Sequence, residues 1–132
     1  MDRLARKFES IRGAVLPPIA DYNPQASIGI VACGTSHHAL VESRFQLSQE
    51  FHCEASYLRL RAYPFNKDLI DFIRRHERVY VIDQNRDAQL LALMRLDLEP
   101  ADVERLRSVR YYGGLPLDAR TITDDIVRQE GL

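Results

Sequence analysis

Long apolar runs are missing from this 132-residue chain. None approaches the roughly 20 residues that cross a bilayer, so no membrane span is expected. The first dozen positions carry Asp2, Arg3, Arg6, Lys7, Glu9 and Arg12, which is not the apolar stretch of a signal peptide. An excess of one charge is missing too. The formal net charge of −1 is too weak a field to steer nucleic acid or an anionic membrane surface. Lysine is scarce, with Lys7 and Lys67 alone. The basic residues are otherwise arginines, whose forked donors suit phosphate or carboxylate. They are scattered, and read as ordinary surface charge. Cysteine is scarce as well: Cys33 lies in an apolar strand and Cys53 at a strand edge, with no C-x-x-C and no metal spacing. Two isolated thiols fit a reducing cytoplasm.

The motifs of self-contained catalysis are also absent. There is no serine elbow, no Walker loop and no G-x-G-x-x-G after the first core strand. No glycine-rich diphosphate motif leads to an asparagine metal ligand, and no carboxylate pair stands out as acid and base. An autonomous enzyme is therefore not expected.

What is present is a regular alternation of short apolar runs and helical patterns within one domain-sized length. Leu4, Phe8, Ile11 and Val15, spaced by three and four, predict a short helix over 2–14. The stretch from Leu16 to Pro24 reads as a proline-rich linker, so residues 1–24 are assigned to helix and linker and 25–132 to an α/β domain. Ser27–Cys33 is nearly all apolar or small, as a central strand covered on both faces should be. A helix follows from about Ser36, with Leu40, Val41, Leu47 and Phe51 on one face. Arg44 falls inside that face and must find a partner or snorkel. Ala55–Leu60 is the second core strand, and Pro64 ends its extension. Asn66 is placed to cap a helix whose Leu69, Ile70, Phe72 and Ile73 face inward. Arg74, Arg75, His76 and Arg78 near that helix's end are read as offsetting its dipole, not as a nucleic-acid patch. Val79–Asp83 is the third core strand, followed by a helix to about Leu98. Glu99-Pro100 breaks it, Ala101–Leu106 makes a further turn or two, Val109–Tyr112 is the last strand, and Thr121–Gln129 closes the chain with Ile122, Ile126 and Val127 inward. Paired Gly113 and Gly114 need no more than a turn. This order predicts a three-layer α/β fold: a mostly parallel sheet of about four strands, ordered 2-1-3-4, with helices on both faces.

That order puts the ends of the first and third core strands side by side. Gly34, Thr35, Ser36 and His37 would then share one sheet edge with Asn85, Arg86, Asp87 and Gln89, where ligands or partners usually meet such a fold. The local chemistry leaves two readings open. Thr35 or Ser36 can simply cap one helix, and Asn85 or Asp87 the other. Alternatively, free N–H groups at the first helix start could hold a phosphate or carboxylate, with Arg86 facing a partner. His37 and His38 point in different directions on a helix and lack further ligands for a metal, so one packed and one exposed histidine is expected. Within the first helix, Arg44 with His37 is the pair with most scope beyond packing.

Four segments together resemble a known family. Val79-Tyr80-Val81-Ile82-Asp83-Gln84-Asn85-Arg86-Asp87-Ala88-Gln89 is similar to the hallmark stretch near the carboxyl end of the 2-oxoacid:ferredoxin oxidoreductase alpha subunit, and is nearest to its 2-oxoglutarate branch. Leu60-Arg61-Ala62-Tyr63-Pro64-Phe65-Asn66, His76-Glu77-Arg78-Val79-Tyr80 and Tyr112-Gly113-Gly114-Leu115-Pro116-Leu117-Asp118-Ala119-Arg120 resemble further family segments in the same order and spacing. Together these span roughly residues 25–130. Two positions depart from the family: Ala88 stands where glycine is usual, and Arg44 at an apolar helix position.

The resemblance implies a fold like the transketolase carboxyl-terminal domain. It implies a parent enzyme that converts a 2-oxoacid and coenzyme A to acyl-CoA and CO2, using thiamine diphosphate, magnesium and an iron–sulfur cluster and reducing ferredoxin. The implied partners of this chain are upstream alpha-subunit domains and the beta subunit. A homodimer is also compatible, and neither nucleic acid nor membrane is implied. No cofactor is expected on this chain alone, and no catalytic residue is carried over. Two other classes stay open: a free-standing phosphate-ligand module built on Thr35 and Ser36, and the equivalent domain of a transketolase or a dehydrogenase E1 beta subunit.

Overall fold

A computed structural model describes residues 19–33, 37–61, 67–83, 89–110 and 118–132, with Cys33 as backbone only. The sheet is built around β2 (Ile28–Cys33), whose sequence IGIVAC has no polar side chain to leave in water. Its neighbours are β3 (Ala55–Leu60) and β4 (Arg78–Asp83), both parallel to it. β5 (Leu106–Arg110) continues the sheet parallel to β4. The parallel strands thus run β3-β2-β4-β5, the expected order.

Period-two alternation splits the core into two layers. Ile28, Ile30 and Ala32 of β2 and Tyr80 and Ile82 of β4 point to one face. There they meet Leu40 and Leu47 of α1 (His37–Phe51) and Ile122 and Ile126 of α5 (Ala119–Glu130). Val31, Leu58, Val79 and Val81 point to the other face. They are covered by Leu69, Phe72 and Ile73 of α2 (Lys67–Arg74) and by Leu91 and Met94 of α3 (Gln89–Asp97). Burial on both faces is what makes these strands read as continuous apolar runs. Gly29 sits under α2: a Cβ there would lie 2.6 Å from Phe72 Cε1 and 3.2 Å from His76 Nδ1. Close approach, rather than an unusual φ, demands this glycine. Among the described residues no helix is long and apolar enough to cross a membrane.

Several local expectations change. Ile19–Asp21, read as linker, forms a fifth strand, β1, antiparallel to β3 at the sheet edge. Its three residues are exposed and carry no alternation to mark a strand; side-chain anchors hold it instead. Arg44 donates to Asp21 (2.8 Å) and to the Ala55 carbonyl (3.0 Å). Asn23 donates its N–H to Ser56 Oγ (2.9 Å) and its amide to Glu54 (2.8 Å). Val41 is half exposed, not inward. Ser43 takes the buried position and meets Thr123 Oγ1 at 2.8 Å, joining α1 to α5. Thr123 gives its one proton to the Ala119 carbonyl or to Gln46. β5 begins at Leu106, earlier than expected, because pairing along β4 from Val79 to Asp83 dictates its length. The turn at Ala101–Leu106 shrinks to α4 (Pro100–Val103). The helix expected over 2–14, the Asn66 cap, Tyr111, Tyr112 and the Gly113-Gly114 turn lie outside the described residues.

Candidate functional site

β2 connects through α1 to β3 on one side, and β3 then crosses to β4 on the other. β2 and β4 are therefore adjacent parallel strands whose outgoing connections diverge, the arrangement that opens a crevice at the carboxyl ends of an α/β sheet. The chain leaves all four parallel strands at this edge: from Cys33 beside Leu60, and from Asp83 beside Arg110. The segments that follow, 34–36, 62–66, 84–88 and 111–117, include much of what carried the family resemblance.

Of the candidate residues, the structure describes His37 and Gln89. Gly34, Thr35, Ser36, Asn85, Arg86 and Asp87 lie outside the described residues. His37 opens α1 and is half-buried, its Nδ1 3.4 Å from the Tyr57 hydroxyl. His38 is exposed, so one histidine is packed and the other is not, as expected. Gln89 opens α3 and is exposed. The two residues thus begin helices on opposite faces of the sheet, on either side of the divergence between β2 and β4.

The sequence reading missed Asp83. This last residue of β4 is only 3% exposed. Its carboxylate accepts the N–H of Leu90 at 2.9 Å and of Leu91 at 3.3 Å. The strand end thus reaches the first turn of α3 and accepts two of its free N–H groups. A cap seven residues upstream escapes any search for Ser, Thr, Asp or Asn at the helix boundary.

Arg44 and the basic run are absorbed by structure. Arg44 bridges α1, β1 and β3, with Asp21 and the Ala55 carbonyl as its partners. Arg74 pairs in a fork with buried Asp102, at 3.0 and 3.1 Å. Arg75 lies over the Tyr22 ring, 4.8 Å from its centroid. His76 is buried, with Nδ1 2.6 Å from the Phe72 carbonyl. Burial holds its imidazole below the ordinary value, and Arg75 adds to the effect despite the carbonyl. Arg78 forks onto Glu130 at 2.6 and 2.8 Å, and the Tyr80 hydroxyl also donates to Glu130. Burial would raise the Glu130 carboxyl, but these donors outweigh it and leave it below the ordinary value. Specific partners, more than a helix dipole, explain the run. The free thiol of Cys53 is pushed up by burial and by Glu130 and Glu54, the environment of an inert cysteine.

No protein-family model matches the chain, and no curated relative does. Solved structures do. One is 2-oxoglutarate:ferredoxin oxidoreductase from Magnetococcus marinus with 2-oxoglutarate, coenzyme A and succinyl-CoA bound; it superposes on 92% of this chain with TM-score 0.77 and 18% identity. The match takes in 21% of that protein's chain, so the present chain spans about a fifth of its length. Another is the alpha chain of a probable 2-oxoacid ferredoxin oxidoreductase from Thermoplasma acidophilum, matched over 88% of this chain and 98% of that one, with TM-score 0.55 and 16% identity. The structural neighbours of this chain are thus 2-oxoacid:ferredoxin oxidoreductases, and it has the transketolase carboxyl-terminal-like α/β fold that they share.

Proposed function

We propose that this chain is the carboxyl-terminal-type domain of the alpha subunit of a 2-oxoacid:ferredoxin oxidoreductase, of the 2-oxoglutarate branch. It serves that enzyme as an interface and is inactive alone. The observation that carries the reading is the superposition on 92% of this chain at TM-score 0.77, taken with four sequence segments of the same family. The parent reaction joins coenzyme A to the acyl group left when a 2-oxoacid loses CO2, and passes the electrons to ferredoxin. Thiamine diphosphate, magnesium and iron–sulfur chemistry belong, on this reading, to upstream alpha-subunit domains and the beta subunit. Two cysteines fall short of the four thiolates a cluster takes. Among the described residues no three His, Cys, Asp or Glu side chains converge to hold a metal. No chemical step is therefore assigned to these residues.

The carboxyl edge, with Gly34 to His37 and Asn85 to Gln89, is the surface assigned to partner domains. By its place in the sequence, Arg86 is the long charged residue proposed to meet them. Of the two local partners the sequence offers, Asp83 is buried; the bland alternative is an exposed pair with Asp87, contributing about 0–1 kcal/mol. The chain should be assayed with 2-oxoglutarate, coenzyme A and methyl viologen, alone and after assembly with upstream alpha-subunit domains and beta subunit from the same organism. Turnover is expected from the assembly alone. Turnover by the isolated chain, or its binding of magnesium and thiamine diphosphate at micromolar affinity, overturns the proposal. Arg86→Ala should leave the stability of the chain nearly unchanged while weakening assembly.

A further inference from the structure

α1 carries more apolar surface than the core uses. Leu40 and Leu47 are buried, yet Val41 is 50% and Phe45 65% exposed. Ser43, Gln46 and Glu50 turn toward α5, where they meet Thr123 and Arg120. On a helical wheel Val41 and Phe45 fall on the other flank, the side of Arg44, and Arg44 bonds to Asp21 of β1. Ile19 shares that side of the sheet. It pairs with Arg59 as Asp21 pairs with Tyr57, and Tyr57 belongs to the layer under α1. Ile19 is itself 49% exposed. Three large apolar side chains thus lie along the β1 side of α1.

We propose that residues 2–15 fold back on this flank as an amphipathic helix, setting Leu4, Phe8, Ile11 and Val15 against Ile19, Val41 and Phe45. The segment has the right length, since a helix over it would run roughly 20 Å, much the same as α1. It ends in the right place. Leu16-Pro17-Pro18 leads directly into Ile19, and three residues reach about 10 Å at most, the separation of two packed helices. Its charges fit as well: Lys7 and Arg12 flank the apolar stripe on a helical wheel, and exposed Glu42 flanks Phe45 on α1. Tethering decides between occupants. A short linker holds the segment at an effective concentration near millimolar, so it outcompetes a second copy of the chain at micromolar levels. The inference stands apart from the role proposed for the carboxyl edge.

The test uses the full chain with Phe8→Ser, Phe45→Ser, the double variant and, as control, Leu96→Ser. Leu96 is 85% exposed on α3, across the sheet from α1. Tryptic cleavage after Arg3, Arg6, Lys7 and Arg12 and hydrogen exchange of the amides in 5–14 are followed, with exchange in β2 as the check on folding. The wild-type segment should be protected to the same degree at every protein concentration. Phe8→Ser and Phe45→Ser should each accelerate cleavage roughly tenfold, the factor that follows from losing the burial of one large apolar side chain. The double variant should add little, and Leu96→Ser should change nothing. Should Phe45→Ser also disturb β2, Phe8→Ser decides, because it leaves α1 intact. An unprotected wild-type segment, or equal acceleration by Leu96→Ser, overturns the docking. Protection that rises with concentration, together with a dimer in light scattering that Phe45→Ser dissociates, gives this flank to a second copy and overturns it too. So does an unprotected segment with assembly onto upstream alpha-subunit domains weakened by Phe45→Ser, which gives the flank to those domains.

Discussion

Replacing Glu130 tests how α5 is held on the sheet. Its carboxylate accepts Arg78 Nε at 2.6 Å, Arg78 Nη2 at 2.8 Å and the Tyr80 hydroxyl. The Glu130 side chain is 7% exposed and that of Arg78 34%, so water can solvate the guanidinium in part but not the tyrosine hydroxyl. Removing one partner of a buried pair costs about 3–5 kcal/mol. The access of Arg78 to water points to the lower end, about 3 kcal/mol for Glu130→Ala. Of this, about 1 kcal/mol belongs to the Tyr80 bond, the loss expected for Tyr80→Phe. In a domain of this size the midpoint should fall by roughly 10 °C. Replacing both partners, as Arg78→Met with Glu130→Leu, should cost less than Glu130→Ala, because no charge is left stranded. The pH dependence has a definite sign. The folded-state pKa of Glu130 lies below its ordinary value of 4.5, so its contribution is complete above that value and is lost as pH falls through the folded pKa. Glu130→Gln should remove this part of the acid limb. Urea and thermal melts followed by circular dichroism at several pH values would measure all of this. A Glu130→Ala midpoint within experimental error of wild type, with the same acid limb, would refute the reasoning.

Three further outcomes are expected. Gly29→Ala should destabilise by about 1–3 kcal/mol, since the new methyl overpacks against Phe72; equilibrium unfolding measures it, and Gly29→Ala with Phe72→Leu should recover part of the loss. His52 has φ 53 at the end of α1, so His52→Gly should raise stability by up to about 1 kcal/mol by relieving a left-handed side chain, read as a higher thermal midpoint. Burial lowers the His76 pKa below 6.5, so the unfolded chain takes up a proton first; stability from this group is complete above 6.5 and declines as pH falls below it. Comparison with His76→Gln over roughly pH 5 to 7 should show a flatter profile for the variant.

The division between sequence and tertiary structure follows from distance along the chain. β2, β3 and β4 were legible because burial on both faces writes itself as short apolar runs, and the alternation of strand and helix leaves few parallel topologies open. The family resemblance could be read for a similar reason, since its segments are contiguous stretches at strand ends. β1 was not legible: three exposed residues become a strand only because β3 offers a free edge and Arg44, Ser56 and Glu54 offer anchors. The partners of the basic run were equally hidden, with Arg78 meeting Glu130 52 positions away and Arg74 meeting Asp102 28 away. At the candidate site, the sequence proposed an edge from topology alone, and of its residues the structure describes His37 and Gln89. Only the folded chain revealed that Asp83 accepts the N–H groups of Leu90 and Leu91 in the first turn of α3. A carboxylate can reach seven residues ahead only after strand and helix have packed, and no local pattern records that meeting.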